Sequence, residues 1–118
     1  MHEIGSDKTN GTYGGEMHFA MADRGSVFST RDRSIRVLAE LEQAEDASSG
    51  DSHLILDFNS VTHVSDSFAD GFVGVITSQR RSLGLPDPLL VGMTPFVSTV
   101  VYRALRLRGI ERNELIAA

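Results

Sequence analysis

There is no cysteine among the 118 residues, which excludes a disulfide framework, a thiol nucleophile and a Cys-ligated zinc. No apolar run comes near the roughly 18 residues needed to cross a bilayer. The first fifteen residues, MHEIGSDKTNGTYGG, lack the apolar centre of a secretory signal. Cytoplasmic residence without membrane contact is therefore expected. With a net charge of −5 and a pI near 5.2, the chain lacks the basic footprint that nucleic-acid binding leaves. Lys and Arg are absent from residues 40–57, which hold Glu40, Glu42, Glu45, Asp46, Asp51 and Asp57, whereas six arginines face three acids from Arg80 onward. These read as two solvated faces. The four histidines, His2, His18, His53 and His63, lack the i, i+4 spacing of a helical zinc site, so neither metal nor cofactor is expected.

What is present fits one domain. The 41% apolar and 23% charged residues are ordinary for a globular protein, and the length supports one core. Residues 1–15 are expected to be a disordered lead-in and 16–118 the domain. Met17 to Met21 and Val27–Phe28 read as strands of a β-hairpin turning at Ala22 to Ser26. Ser29 or Thr30 should cap a helix of about fifteen residues, with Ile35, Leu38 and Leu41 as its apolar stripe, widened by Val37 and Ala44. Ala44 to His53 reads as a surface loop leading into the strand Leu54 to Phe58. A helix from about Asp66 to Ser82 should stop at Gly84, before Pro86 and Pro88. Leu89 to Val91 is another short buried strand, and Thr94 and Pro95 open a last helix that ends at Gly109. The expected fold is α/β, in the order ββαβαβα, with about four strands in a mixed sheet and about three helices.

The segment LILDFNSVTHVSDSFADGF, Leu54 to Phe72, concentrates the functional signals. An apolar strand closes on Asp57 and Phe58, Val61 and Val64 anchor the exit, and Ser65, Asp66 and Ser67 crowd a helix start with capping oxygens. Phe68, Phe72 and Ile76 recur at helical spacing. Ser67 to Asp70 fits a Ser-x-x-acid capping box. Asp57 is expected to fix the following loop by accepting backbone N–H bonds. Gly71 and Gly74, at i, i+3, read as sites of close helix packing. Arg31, Arg33 and Arg36, with Arg103, Arg106 and Arg108, are expected on solvated faces, though together they would form phosphate-binding surfaces.

These residues resemble a STAS domain, the module typified by bacterial anti-sigma-factor antagonists, whose motif reads roughly Leu-Asp-Leu-x-x-Val-x-x-Ile-Asp-Ser-Ser-Gly. Leu56, Asp57, Phe58, Val61 and Val64 match it without a gap. The chain is similar still more closely to the uncharacterised STAS-like family, through Ser29, Arg31, Leu56, Asp57, Phe58, Val61, Ser65, Ser67, Phe68, Ala69 and Asp70. The likeness spans about Met17 to Arg108. It implies a small STAS-like sheet and a non-enzymatic regulatory module. Such a module would dock through Ser65, Asp66, Ser67, Phe68 and Asp70 to a protein partner such as a histidine-kinase-type ATPase or anti-sigma factor, with Asp57 and Val61 structural. The family's phosphorylated serine aligns with Asp66, so a fixed carboxylate stands there with one charge against roughly two for phosphate. The rival reading is a small hydrolase or nucleotide-binding protein, the hydrolase using Ser67 as nucleophile, His63 as base and Asp57 or Asp70 as orienter; no G-x-S-x-G elbow supports it.

Overall fold

A computed structural model of the chain describes residues 16–48 and 53–111; the expected lead-in at 1–15 lies outside them. Five strands and three helices follow one another as β1 (Glu16–Ala20), β2 (Val27–Phe28), α1 (Arg31–Ser48), β3 (His53–Asp57), β4 (His63–Val64), α2 (66–82), β5 (Leu89–Val91) and α3 (Pro95–Leu107). A 3₁₀ turn, Met21–Arg24, separates β1 from β2. The chain is thus mixed α/β, in the order ββαββαβα, with β4 unforeseen.

Among the described residues every pairing is parallel, and two small sheets replace the expected mixed one. The first has the order β1-β3-β5 and the second joins β2 to β4. The expected hairpin is therefore wrong: β1 and β2 do not pair, because the 3₁₀ turn and Gly25 between them redirect the chain. β1 instead lies against β3, with Met17 opposite Leu54 and Phe19 opposite Leu56. The central strand β3 also takes β5, and Phe58 N–H extends that ladder to Val91 O at 2.8 Å.

Burial alternates along the strands as pleating requires. Met17, Phe19, Leu54, Leu56 and Leu90 point into the core, while Glu16, His18, His53 and Leu89 stay in solvent. Above the covered face, α2 lies between α1 and α3 and packs on both. A run of aromatic contacts, Phe28 to Phe68 at 4.9 Å, Phe68 to Phe72 at 5.4 Å and Phe72 to Phe19 at 6.2 Å between centroids, ties the two sheets together through α2.

Helix ends obey local chemistry. Thr30 caps α1 by accepting from Arg33 N at 3.0 Å. Thr94 caps α3 by accepting from Val97 N at 3.1 Å, with Pro95 in the first turn where no N–H is needed. Both α2 and α3 stop at a glycine in the left-handed region, Gly84 at φ 75 and Gly109 at φ 79. The following N–H reaches back five residues in each case, Leu85 N to Arg80 O at 2.8 Å and Ile110 N to Leu105 O at 2.9 Å, a Schellman closure. Two expectations for α1 fail. The helix continues through 44–48, where a loop was expected, and Ile35 is 60% exposed. Its inward face is Ser34, Val37 and Leu41, with Leu38 and Ala44 partly buried.

The second helix is not uniform. Asp66–Ala69 is α, Asp70–Gly74 is π and Val75–Ser82 is α again. Within it Phe68, Phe72, Ile76 and Arg80 are all buried at intervals of four. In a regular α-helix each four-residue step drifts about 40° off a line. The wider π turn takes up that drift, as Val75 N–H donating to Asp70 O shows.

Candidate functional site

The start of α2 is held by a β-ladder, a cap and a set of ion pairs. Ser65 N donates to Phe28 O at 2.9 Å, prolonging the β2–β4 ladder, while its Oγ accepts from Phe68 N at 3.0 Å and so caps the helix. The cap is therefore Ser65. Ser67 lies inside the first turn, and the expected Ser67–Asp70 capping box does not form, because Asp70 is committed elsewhere.

Asp66 stands in the first turn with its side chain 69% exposed, and accepts from Arg103 of α3 at 2.8 Å. Ser67 is exposed beside it, and its hydroxyl makes no hydrogen bond among the described residues. Phe68, expected on a docking surface, is fully buried against Phe28 and Phe72. It holds the helix start on the core and offers nothing to a partner. The exposed chemistry narrows to Asp66 and Ser67, with Ser65 and Asp70 half-buried behind them.

Asp70 joins all three helices. Its Oδ1 accepts from Arg108 Nε at 2.5 Å and its Oδ2 from Arg31 Nη1 at 3.0 Å. These two guanidinium groups, Arg108 first, hold its carboxyl below the usual carboxylate range against the opposing effect of burial. Arg108 reaches it by passing over Gly74, where a Cβ would lie 2.6 Å from Arg108 Nε. Sequence reading missed this clamp, although a glycine four residues after a helical aspartate, on the same face, is the signal that could have shown it.

Because the folded-state value of Asp70 is depressed, its contribution is present above the ordinary carboxylate range and is lost as pH falls below it. Asp70→Asn should cost about 1 to 2 kcal/mol at pH 7, the scale of a partly exposed charged hydrogen bond. The difference between variant and wild type should shrink at pH 3, measured by urea unfolding at both values.

Asp57, at the end of β3, accepts from Asn59 N at 2.9 Å and Asn59 Nδ2 at 2.7 Å, and pairs with His18 at 2.9 Å. The backbone N–H of Asn59 is the chief reason its pKa is lowered. Val61 is buried beneath the same loop, and Val61 N donates to Phe58 O at 3.0 Å. The histidine beside Asp57 is thus His18. His63 packs against Phe96 with the rings tilted by 55° and their centroids 5.0 Å apart, and Asp70 is held by arginines, so Ser67, His63 and an aspartate do not form a hydrogen-bonded relay. Among the described residues no three His, Asp or Glu side chains gather as a metal site, and no helix is long and apolar enough to cross a membrane.

A groove of about 340 Å³ opens beside this helix start, lined by Arg31, Asp66, Ser67, Asp70, Ala104 and Leu107. It sits where the first turns of α1 and α2 meet the last turns of α3. Comparison with known proteins returns no matching family model, curated protein or solved structure.

Proposed function

We propose that the chain is a small STAS-like regulatory module of the bacterial cytoplasm that acts without catalysis, by docking the exposed start of α2 onto a protein partner. A histidine-kinase-type ATPase of the anti-sigma-factor kind is the partner class that the motif implies. The observation carrying this reading is the exposure of Asp66. A carboxylate fixed in the first turn of a well-capped helix, 69% open to solvent, has more charge on display than capping requires, since Ser65 already caps. It occupies the position aligned with the family's modified serine, so the helix start carries permanent negative charge instead of a switched one. Burial of Phe68 and Phe72 beneath it makes the platform rigid, which lowers the ordering cost of docking.

Asp66→Asn separates this role from a structural one. The lost helix-dipole and Arg103 interactions should cost only about 0.3 to 1 kcal/mol of folding stability. Affinity for the ATPase that co-purifies with the native protein should change by ten-fold or more, because charges meeting across an interface are less screened than exposed ones. Paired urea unfolding and isothermal titration measure both quantities. An unchanged affinity would reduce Ser65, Asp66 and Ser67 to a helix cap.

A further inference from the structure

The open face of the three-stranded sheet collects side chains that the core does not use. The strand order β1-β3-β5 steps one way only, so right-handed crossovers bring the connecting helices to a single face and leave the other to solvent. Pleating directs every second residue outward, here Glu16 and His18 from β1, with His53, Ile55 and Asp57 from β3. Parallel register fixes their neighbours, Glu16 opposite His53 and His18 opposite Ile55. Two imidazoles and a carboxylate therefore stand on neighbouring positions of two paired strands. With strands about 4.8 Å apart and a rise of about 3.3 Å per residue, the Cα atoms of His18 and His53 lie about 8 Å apart, with Glu16 next to both. The two histidines are distant in the chain and follow no metal-ligand spacing, so only the strand register reveals the grouping.

His18 is already oriented from behind. Its Nε2 meets Asp57 Oδ2 at 2.9 Å, while Asp57 Oδ1 accepts from Asn59 N and Asn59 Nδ2. The Asn59 backbone bond above all holds the Asp57 carboxyl below its ordinary range, so this carboxylate only accepts. Nε2 must then be the donor, and the neutral ring keeps its lone pair on Nδ1. A carboxylate that fixes the tautomer and direction of an imidazole is the usual support of a metal-ligating histidine. Along the strands Asp57 lies to one side of His18, and Glu16 and His53 lie to the other. The side chains of Glu16 and His53 are exposed and form no hydrogen bond or ion pair among the described residues. In their present rotamers the three side chains do not gather, but bringing them together needs only rotation in solvent and breaks no contact of Glu16 or His53.

We propose that Glu16, His18 and His53 form a zinc site on the open face of the sheet, closed by rotation of their side chains, with Asp57 as the supporting carboxylate behind His18. Two imidazoles and one carboxylate are a ligand set that zinc takes with its fourth position left open, whereas calcium and magnesium ask for oxygen ligands throughout. The ion ties the edge strand β1 to the central strand β3, and its fourth position faces solvent. The start of α2 lies above the other face of the sheet, so this site stands or falls independently of the docking reading.

The test is a calorimetric titration of zinc chloride into the untagged full chain at neutral pH, after treatment with a chelator. One ion should bind per chain with a dissociation constant of about 10 μM or lower, and magnesium should not compete. Glu16→Gln, His18→Ala and His53→Ala should each weaken binding about ten-fold or more. Their urea midpoints without zinc should match wild type, because all three side chains are exposed, and added zinc should raise the midpoint of wild type alone. Imidazole nitrogen NMR should show His18 as the Nε2–H tautomer before zinc is added. On addition the His18 and His53 signals should move while those of His2 and His63 stay. Absence of binding in that range, binding that survives any one of the three substitutions, or shifts confined to His2 or His63 overturns the proposal.

Discussion

Phe58→Ala is expected to cost about 3 to 5 kcal/mol, the range for emptying a buried aromatic site. That is a large part of the 5 to 15 kcal/mol that holds an ordinary domain together. Phe58 is fully buried and follows the central strand directly. Its N–H continues the ladder to β5 and its carbonyl accepts from Val61 N. The side chain therefore fills the core at the point where the chain leaves β3 for the start of α2, and its loss should loosen that start along with the sheet. Urea unfolding of the variant measures the cost. Leu107→Ala, which removes a side chain already in solvent, should stay within about 0.5 kcal/mol of wild type. A loss below about 1 kcal/mol for Phe58→Ala would mean that the core tolerates a cavity beneath the sheet.

Gly71→Ala should destabilise by about 1 to 3 kcal/mol even though alanine is the better helix former by about 1 kcal/mol. A Cβ at Gly71 would stand 2.3 Å from Ser34 Oγ and 3.1 Å from Ser34 Cβ. Ser34 cannot withdraw, since it is fully buried and its hydroxyl donates to Arg31 O at 2.5 Å. The clash must therefore separate α1 from α2. Restoring room from the other side with Ser34→Gly in the Gly71→Ala background should recover much of the loss, so the double-mutant cycle should show a coupling of about 1 kcal/mol or more. Additive effects would mean that the two helices part elsewhere.

The same contact explains why the inward face of α1 was misread in part. Apolar spacing alone selects Ile35, Leu38 and Leu41, and a buried serine carries no apolar signal. Ser34 is inside because only a small side chain lets α1 approach Gly71. Ile35, one position on, is turned outward. The start of α3 and the ends of α2 and α3 were legible because their causes are local: Thr94 with Pro95, and Gly84 and Gly109, act within a few residues of themselves, whereas the end of α1 has no such signal. Strand pairing was not legible for the opposite reason. Gly25 and its polar neighbours look like a hairpin turn, yet the partner of β1 begins more than thirty residues later, and β2 takes the two-residue strand His63–Val64. Nothing local announces either choice. At the candidate site, the positions of Ser65, Asp66 and Ser67 at a helix start could be read from residue type. For the clamp on Asp70 the sequence offered only Gly74, one turn on; that Arg31 and Arg108 are the arginines that close it depends on where the ends of α1 and α3 come to rest.

The π turn at Asp70–Gly74 can be restated in terms of insertion and deletion. A π turn spends one residue more than an α turn on the same arc, so α2 contains, in effect, a single surplus residue in its middle. Remove it and the helix would be regular, but the buried column of Phe68, Phe72, Ile76 and Arg80 would lose its common phase. Everything before the gap would swing by about 100° relative to everything after it. Asp66 and Ser67 lie on the near side of that gap, and the residues that moor the helix to the sheet lie on both. The direction in which the first turn presents its carboxylate is therefore a property of chain length within one turn, and any descendant that gains or loses a residue there inherits a differently aimed surface on an otherwise similar fold.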